Sequence, residues 1–188
     1  MRSQYRRGMP ELIAPTVRLH ASWLAARDDW GRGVHQDGSG LHETDEVDSA
    51  AGFARWVGWL HSQSDASTPL PDGRVHASYW WIVDGDDCLG AISLRYRLND
   101  FLRRVGGHVG YGVRPSARGR GLATWALGAV LPEARGRGID RLLVTCADTN
   151  HASARAIQRN GGVLDGVHDT ERGRTRRYWI DLTARGAS

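Results

Sequence analysis

Residues 106–127, GGHVGYGVRPSARGRGLATWAL, place a strand, a turn and the start of a helix in direct succession. Val109, Tyr111 and Val113 alternate along one face of the predicted strand, and Pro115 ends it. The segment ARGRG (117–121) follows and opens a helix predicted over about residues 119–134. At such a junction, unpaired backbone N–H groups and the positive end of the helix dipole point at whatever occupies the loop.

This first ARGRG segment can be interpreted in two ways. Gly119 and Gly121 would let a phosphate approach the backbone, while Arg118 and Arg120 would add positive charge. The alternative is a glycine-rich turn with solvated arginines, and spacing alone does not separate the two. A second ARGRG (134–138) ends the same helix, where the dipole is negative and repels anions. Its glycines are therefore interpreted as helix-end and turn residues.

The pattern on either side of this segment predicts an α+β protein. Amphipathic helices are predicted at 15–30 and 48–63, the second with Asp48 as its cap and an apolar stripe made by Phe53, Trp56, Val57 and Leu60. A hairpin turning at residues 84–87 follows. After the central helix we predict a strand (141–147), a helix (151–160) and two closing strands (162–169 and 176–182). The strand–helix–strand unit implies one parallel pair in a mixed sheet.

Length and composition predict one domain over residues 1–188, helical and loop-rich over 1–74 and sheet-containing over 75–182. The 25 basic residues are all arginine, which compositional bias in coding would explain, and the formal net charge of +4 is compatible with an anionic partner. No apolar run is long enough for a membrane span, and the N-terminus has no signal-peptide core. Two cysteines without metal-ligand spacing favour a reduced, cytoplasmic protein that holds no metal.

Two segments resemble motifs of the GNAT superfamily of N-acetyltransferases. VRPSARGRGLA resembles motif A, matched at Arg118, Gly121 and Ala123 in the strand–loop–helix setting that the motif requires. NHASARAIQRNGG resembles motif B, matched at Asn150 and Ser153. The similarity covers about residues 79–182 and is greatest for a subgroup of acetyltransferases with no agreed substrate. It implies a GNAT-like fold, with a splayed, mixed, mostly antiparallel sheet and helices on both faces.

The resemblance implies acetyl-CoA as co-substrate and a cofactor-binding core within residues 75–182. The pantetheine arm is expected along Tyr111, Gly112 and Val113, where a backbone N–H polarises the thioester carbonyl. Asn150 and Ser153 are expected to contact the cofactor. The diphosphate is expected on the loop formed by Arg118, Gly119, Arg120, Gly121, Leu122, Ala123 and Thr124.

One motif B position departs from the family. Many members carry a tyrosine there that protonates the departing thiolate, but this chain has Ile157. Ser153, Tyr111 or water could replace it, or the thiolate could leave unaided. His108 is the first candidate for the general base, because its pKa is ordinarily near neutral and it lies on the strand that meets the thioester. The alternative is a histidine satisfied inside the sheet or facing solvent.

The expected activity is direct transfer of an acetyl group to a primary amine of a small molecule. A peptide or protein acceptor, a CoA-binding domain without catalysis and an arginine-rich nucleic-acid-binding module remain alternatives. The arginines are scattered rather than interleaved with aromatic residues, which disfavours nucleic acid. The acidic stretch HETDEVD (42–48) could attract a cationic amine or could be a solvated loop. The resemblance leaves a monomer and a homodimer open.

Overall fold

A computed structural model describes residues 8–31 and 33–183 of the chain. Within these residues, seven strands form one sheet in the order β1-β2-β3-β4-β5-β7-β6. The strands are β1 (Glu11–Ile13), β2 (Ala77–Asp84), β3 (Asp87–Arg95), β4 (Val109–Val113), β5 (Arg141–Ala147), β6 (Val163–Thr170) and β7 (Gly173–Asp181). The α-helices are α1 (His20–Trp30), α2 (Ala50–Ser62), α3 (Leu122–Gly136) and α4 (His151–Arg159). The α+β class is confirmed.

The sheet is antiparallel except at its centre. The parallel neighbours β4 and β5 share a single register pair, Val109 and Val144. By contrast, β5 and β7 are paired from Arg141 to Ala147. The expected mixed, mostly antiparallel and splayed sheet is therefore confirmed, and the splay lies between β4 and β5.

Helices pack on both faces of the sheet, as expected. Adjacent residues of β2 face opposite cores, because side chains alternate along a strand: Trp81 packs with α1 and α2, whereas Ile82 packs with α3. The predicted stripe of α2 is buried in the first core. The second core joins strands from both sides of the splay to α3 and α4, and its members include Leu94, Leu127, Val144, Ile157 and Tyr178.

Three helix starts differ from the sequence prediction: α1, predicted from residue 15, begins at His20 and is preceded by a 3₁₀ turn at Val17–Leu19. Helix α2 is capped by Ser49, whose Oγ accepts from the N–H of Gly52 at 3.0 Å. Asp48 instead accepts a 2.7 Å hydrogen bond from Arg27. Helix α3 begins at Leu122 rather than near 119, because Gly119 and Gly121 both have φ of +77° and cannot continue a right-handed helix.

Strand β1 was missed in the sequence, which predicted only helices and loops before residue 75. It has three residues, lies between Pro10 and Pro15 and pairs antiparallel with β2 from Glu11 to Ile13. So short an edge strand carries no periodic signal. No helix in the described part of the chain has the length and apolar character needed to cross a membrane.

Candidate functional site

The splay between β4 and β5 opens a wedge in the middle of the sheet. At its closed end, the N–H of His108 donates to the carbonyl of Leu143 at 2.8 Å. Beyond the Val109–Val144 pair, β4 remains paired with β3 as far as Val113. Along that stretch, the edge of β4 that faces β5 has no strand partner among the described residues. An extended ligand could add to this edge as a further strand would.

The loop after β4 exposes backbone donors at the start of α3. In the described part of the chain, the N–H groups of residues 119–124 have no hydrogen-bond acceptor, and no side chain caps the helix. Residues 118–121 are exposed, while Leu122 anchors the helix start in the core. A Cβ on Gly119 or Gly121 would meet no protein atom within 4 Å, so the space beside this backbone is open. Such an arrangement fits an anion, because donors and the helix dipole converge there.

An aspartate of α1 accepts hydrogen bonds from the two residues that lead into this loop, Arg114 and Ser116. Asp29 Oδ2 accepts from Arg114 Nε at 2.8 Å, from Ser116 Oγ at 2.6 Å and from the backbone N–H of Ser116 at 3.1 Å. The hydrogen bonds from Arg114 and Ser116 lower the pKa of Asp29 to about 2. The carboxylate is therefore ionised at neutral pH and ties α1 to the segment that precedes the exposed donors.

The loop arginines are engaged by the protein itself. Arg118 donates from Nε to the carbonyl of Val113 at 3.1 Å, and its guanidinium lies 4.7 Å from the ring centroid of Trp30. Arg120 donates from Nη2 to Asp84 at 3.3 Å. These contacts hold the loop in place, whereas the sequence suggested only that the arginines add charge.

A cavity of about 820 Å³ lies at the wedge. It brings together three residues that the sequence singled out, namely Tyr111 of β4 and Asn150 and Ser153 at the start of α4. Asn150 caps α4, because its Oδ1 accepts from the N–H of Ser153 at 3.0 Å. Gly112, Val113 and residues 118–124 lie outside the cavity wall. The loop with the exposed donors and the cavity are thus separate parts of one site, connected by β4.

Two hydroxyl groups meet on the cavity wall. Tyr111 Oη lies 2.7 Å from Ser153 Oγ, and burial raises the pKa of Tyr111 to about 12. Both groups therefore keep their protons at neutral pH and can donate them. Cys146 also lines the cavity, and burial raises the pKa of its thiol. Ile157 is fully buried in the core behind α4.

His108 lies at the closed end of the wedge and does not line the cavity. Its Nδ1 accepts a 2.9 Å hydrogen bond from the N–H of Leu143, so the proton of the neutral ring is on Nε2. The side chain is buried, and burial together with the charges of Arg103 and Arg95 lowers the pKa to about 4. This arrangement favours the alternative reading of His108, a satisfied histidine that fixes the apex between β4 and β5.

Sequence reasoning pointed to the acidic stretch at 42–48 but missed the other charged side chains of the cavity. The loop before α2 supplies His35, Asp37, His42 and Glu43, and three arginines come from other parts of the chain: Arg74, Arg95 and Arg172. The loop packs closely on β4, since a Cβ at Gly38 would lie 2.4 Å from the carbonyl oxygen of Gly110. No local pattern links these segments, and the available signals were the glycines of the loop and its acidic stretch at 42–48.

The acidic stretch at 42–48 has mostly structural contacts. Asp45 accepts from the N–H of His42 at 2.8 Å, and Glu46 accepts from Ser49 Oγ at 2.6 Å at the start of α2. Of its four acids, only Glu43 lines the cavity. Among the described residues, no group of three or more histidine, cysteine, aspartate or glutamate side chains could hold a metal ion.

Comparisons with known proteins agree on one family. Residues 41–163 match the family model described as an acetyltransferase (GNAT) domain. Mycobacterium smegmatis RimJ, in complex with CoA-disulfide, is similar in structure with a TM-score of 0.70 at 16% identity, covering 96% of this chain and 86% of that one. The ribosomal L7/L12 alpha-N-protein acetyltransferase RimL, in complex with coenzyme A, gives 0.68 at 18% identity, covering 94% and 96%.

A third similar structure is named as an immunity acetyltransferase rather than a ribosomal-protein acetyltransferase. The microcin C7 self immunity acetyltransferase MccE, in complex with acetyl-CoA and AMP, gives a TM-score of 0.65 at 14% identity, covering 95% of this chain and 98% of that one. No curated protein matches the chain in sequence. At these identities the structural similarities establish the fold.

Proposed function

The chain belongs to the GNAT family of acetyltransferases, and on that premise we propose that it moves the acetyl group of acetyl-CoA to a primary amine of a small molecule by direct attack. The observation that carries this proposal is the pairing of an open wedge beside β4 with a loop of free N–H donors at the start of α3. Each fits a different part of one extended, phosphorylated ligand.

The residues present fit acetyl-CoA. The donors of residues 119–124 suit a diphosphate, because the open space beside Gly119 and Gly121 admits phosphate oxygens to the backbone. The free edge of β4 from Tyr111 to Val113 suits the amide groups of a pantetheine arm. Asn150 Oδ1 is used in capping α4, which leaves its amide nitrogen for the ligand. When bound there, acetyl-CoA supplies an acetyl thioester.

The chain's own groups then have distinct tasks. A backbone N–H on the free edge of β4 polarises the carbonyl to be attacked. Tyr111 and Ser153 share a hydrogen bond on the cavity wall and donate a proton to the leaving sulfur. This pair replaces the tyrosine of other family members, because the side chain of Ile157 has no proton to donate. His108 positions β4 against β5 through its bond to Leu143.

A base for the amine is available in the cavity. His35 Nε2 lies 3.1 Å from Asp37 Oδ1, so the carboxylate orients the ring and leaves Nδ1 to accept a proton. Both residues belong to the loop that walls the cavity. His35 is therefore better placed than His108 to take a proton from a bound amine.

A small-molecule acceptor is supported by the size of the cavity. About 820 Å³ lies within the range of ligand pockets, and the loop before α2 forms one wall. The names of the similar structures include a ribosomal-protein acetyltransferase and a microcin self-immunity acetyltransferase, so the fold alone does not decide the acceptor.

The test has two stages. Binding of acetyl-CoA is measured by calorimetry, with 3′,5′-ADP as a competitor, and release of free CoA thiol is then followed with a panel of small amines and of peptides with free N-termini. We expect competition by 3′,5′-ADP and thiol release with small amines. Absence of acetyl-CoA binding would overturn the cofactor assignment. Thiol release with peptides alone would overturn the small-molecule acceptor, and binding without release would indicate a CoA-binding protein that lacks catalysis.

A further inference from the structure

Arg95 places an unneutralised guanidinium in the wall of the cavity. It is the last residue of β3 and donates from Nη1 to the carbonyls of Gly106 and Gly107, at 3.1 and 3.2 Å. In the part of the chain that the structure describes, its Nε and Nη2 have no acceptor and no carboxylate forms an ion pair with it. Burial lowers the pKa of Arg95, which shows that its charge is poorly solvated. Arg95 is half-buried, and a partly desolvated charge without an anion is unfavourable.

Two further arginines line the same cavity without a carboxylate partner among the described residues. Arg74 Nη2 contacts His42 Nε2, and the Arg172 guanidinium lies 5.6 Å from the ring centroid of Phe101. The charges of Arg172 and Arg74 both act on Arg95 and lower its pKa further. Asp37 acts on Arg95 in the opposite sense, and a bound anion would add to that attraction and offset the repulsion from Arg172 and Arg74.

These arginines are not part of the loop assigned to the cofactor diphosphate. That loop, residues 118–124, contributes nothing to the cavity wall. Its own arginines are held by Trp30, Val113 and Asp84. The cationic groups of the cavity are thus left for a different anion.

The same cavity also offers negative charge. The hydrogen bond from His35 is the main cause that lowers the pKa of Asp37, so that this carboxylate is ionised at neutral pH. Glu43 adds a second carboxylate, which forms no ion pair within the described residues. A cavity with both signs of charge suits a ligand that has both.

We infer, on the basis of the proposed function, that the acceptor is an amine that also carries an anionic group, a carboxylate or a phosphate, bound by Arg95, Arg74 and Arg172. The planar guanidinium of arginine matches either anion with two parallel hydrogen bonds. Asp37 and Glu43 attract the ammonium form of the same molecule before it loses its proton. The arginines thereby select amines that carry an anionic group away from the reacting nitrogen.

The inference is tested with matched pairs of amines. One pair is an α-amino acid and its carboxamide, and the other is phosphoethanolamine and ethanolamine. We expect kcat/KM to be at least about tenfold higher for the charged member of one pair, and the pair that shows it identifies the anion. Arg172→Gln should reduce this preference about tenfold.

One control variant and two alternative variants accompany this test. Arg55→Gln removes one positive charge from α2, where Arg55 is exposed and lies 3.8 Å from Glu46, and it should leave the preference unchanged. Arg95→Gln should have a larger effect than Arg172→Gln but could unfold the end of β3. The side chains of Arg74 and Arg172 hold no backbone carbonyl within the described residues, so Arg74→Gln and Arg172→Gln keep the inference testable if it does.

Direct binding separates this inference from the proposed function. Binding of the charged amines to the protein saturated with CoA is measured by calorimetry, and we expect Arg172→Gln to weaken it about tenfold. Equal kcat/KM for charged and neutral members would overturn the inference and leave the proposed function intact. Charged amines that bind through Arg172 without thiol release would support the inference and contradict the transfer activity. Failure of the charged amines to bind would overturn the inference.

Discussion

At the scale of single residues, the hydroxyl pair of Tyr111 and Ser153 is the acid that we propose in place of the family's tyrosine. Many family members carry a tyrosine where this chain has Ile157, and that side chain is buried in the core. Tyr111 comes from β4 instead, and its hydroxyl meets Ser153 at 2.7 Å. The phenol is thus supplied from the strand rather than from the helix.

Replacing either hydroxyl should slow turnover by more than it weakens cofactor binding. We expect Tyr111→Phe and Ser153→Ala each to lower kcat by about 100-fold, the lower end of what general acid catalysis contributes. The pKa of Tyr111 is about 12, so this group should cause no fall in rate between pH 6 and about pH 10. Steady-state kinetics and calorimetric titration of CoA would measure both effects.

Ser64→Ala is the matched control, since the hydroxyl of Ser64 donates to the carbonyl of His61 and the residue does not line the cavity. A loss of CoA affinity as large as the loss of kcat would contradict a role in proton donation.

His108 should make stability depend on pH. Its pKa is about 4 in the folded protein and near 6.5 when the chain is unfolded, so the folded state resists protonation. The stabilisation is present above about pH 6.5 and declines as the pH falls towards 4, by at most about 3 kcal/mol. His108→Gln, which can still accept from Leu143, should flatten this dependence in urea unfolding between pH 4 and 7.

The control for His108 is His151→Gln, because His151 is exposed at the start of α4. Wild-type and His108→Gln proteins that lose stability equally over this pH range would show that His108 is not the responsible group.

At the scale of elements, the two ARGRG segments show that context decides what a short motif does. Gly121 and Gly138 are the last residues of their copies, with φ of +77° and +75°, and a Cβ at either would meet nothing within 4 Å. One precedes the first turn of α3 and the other follows its last. The same residue in the same conformation therefore lies at the positive end of the helix dipole in one copy and at the negative end in the other.

This pair provides an internally controlled experiment. Gly121→Ala and Gly138→Ala should each destabilise the protein by about 1 kcal/mol, since alanine is strained in this left-handed conformation. Gly121→Ala alone should weaken CoA binding, by about tenfold, because it disturbs the free N–H groups. Thermal unfolding and calorimetry on the two variants test this, and equal losses of CoA affinity would contradict the diphosphate assignment.

At the scale of the whole molecule, the N-terminal helices shape the site as well as one core of the sheet. Asp29 of α1 fixes Arg114 and Ser116 just before the loop of free donors. The loop between α1 and α2 walls the cavity and packs on Gly110 of β4. Segments distant in sequence thus meet on both sides of β4.

Removing the aspartate should affect the site from a distance. Asp29→Ala is expected to lower the melting temperature and to weaken CoA binding about three- to tenfold, because the start of the loop loses three hydrogen bonds. Asp86→Asn breaks an exposed ion pair with Arg18 and serves as the control. A melting temperature that falls without any change in CoA affinity would restrict Asp29 to folding.

Whether the sequence predicts a feature of the fold or the site depends on how far apart in sequence the residues that form it lie. The strand, loop and helix around Gly121 are local, so the sequence predicted them, and it singled out Asn150 only through its resemblance to motif B. The cavity combines Asp37 with Arg95 and Arg172, which are brought together only by the paired strands and the packed loop. Their contacts depend on tertiary structure, and no period or spacing in the sequence encodes them.

Because β4 and β5 share a single register pair, ligand binding between them should stabilise the folded protein. Across this line the sheet has little backbone bonding, and its two parts are joined mainly by side chains beneath α3 and α4. A molecule that fills the gap contributes the missing bonds to the native state alone. At a concentration one hundred times its Kd, it would raise the free energy of unfolding by about 2.7 kcal/mol. Heat resistance of this protein would then vary with the supply of its co-substrate.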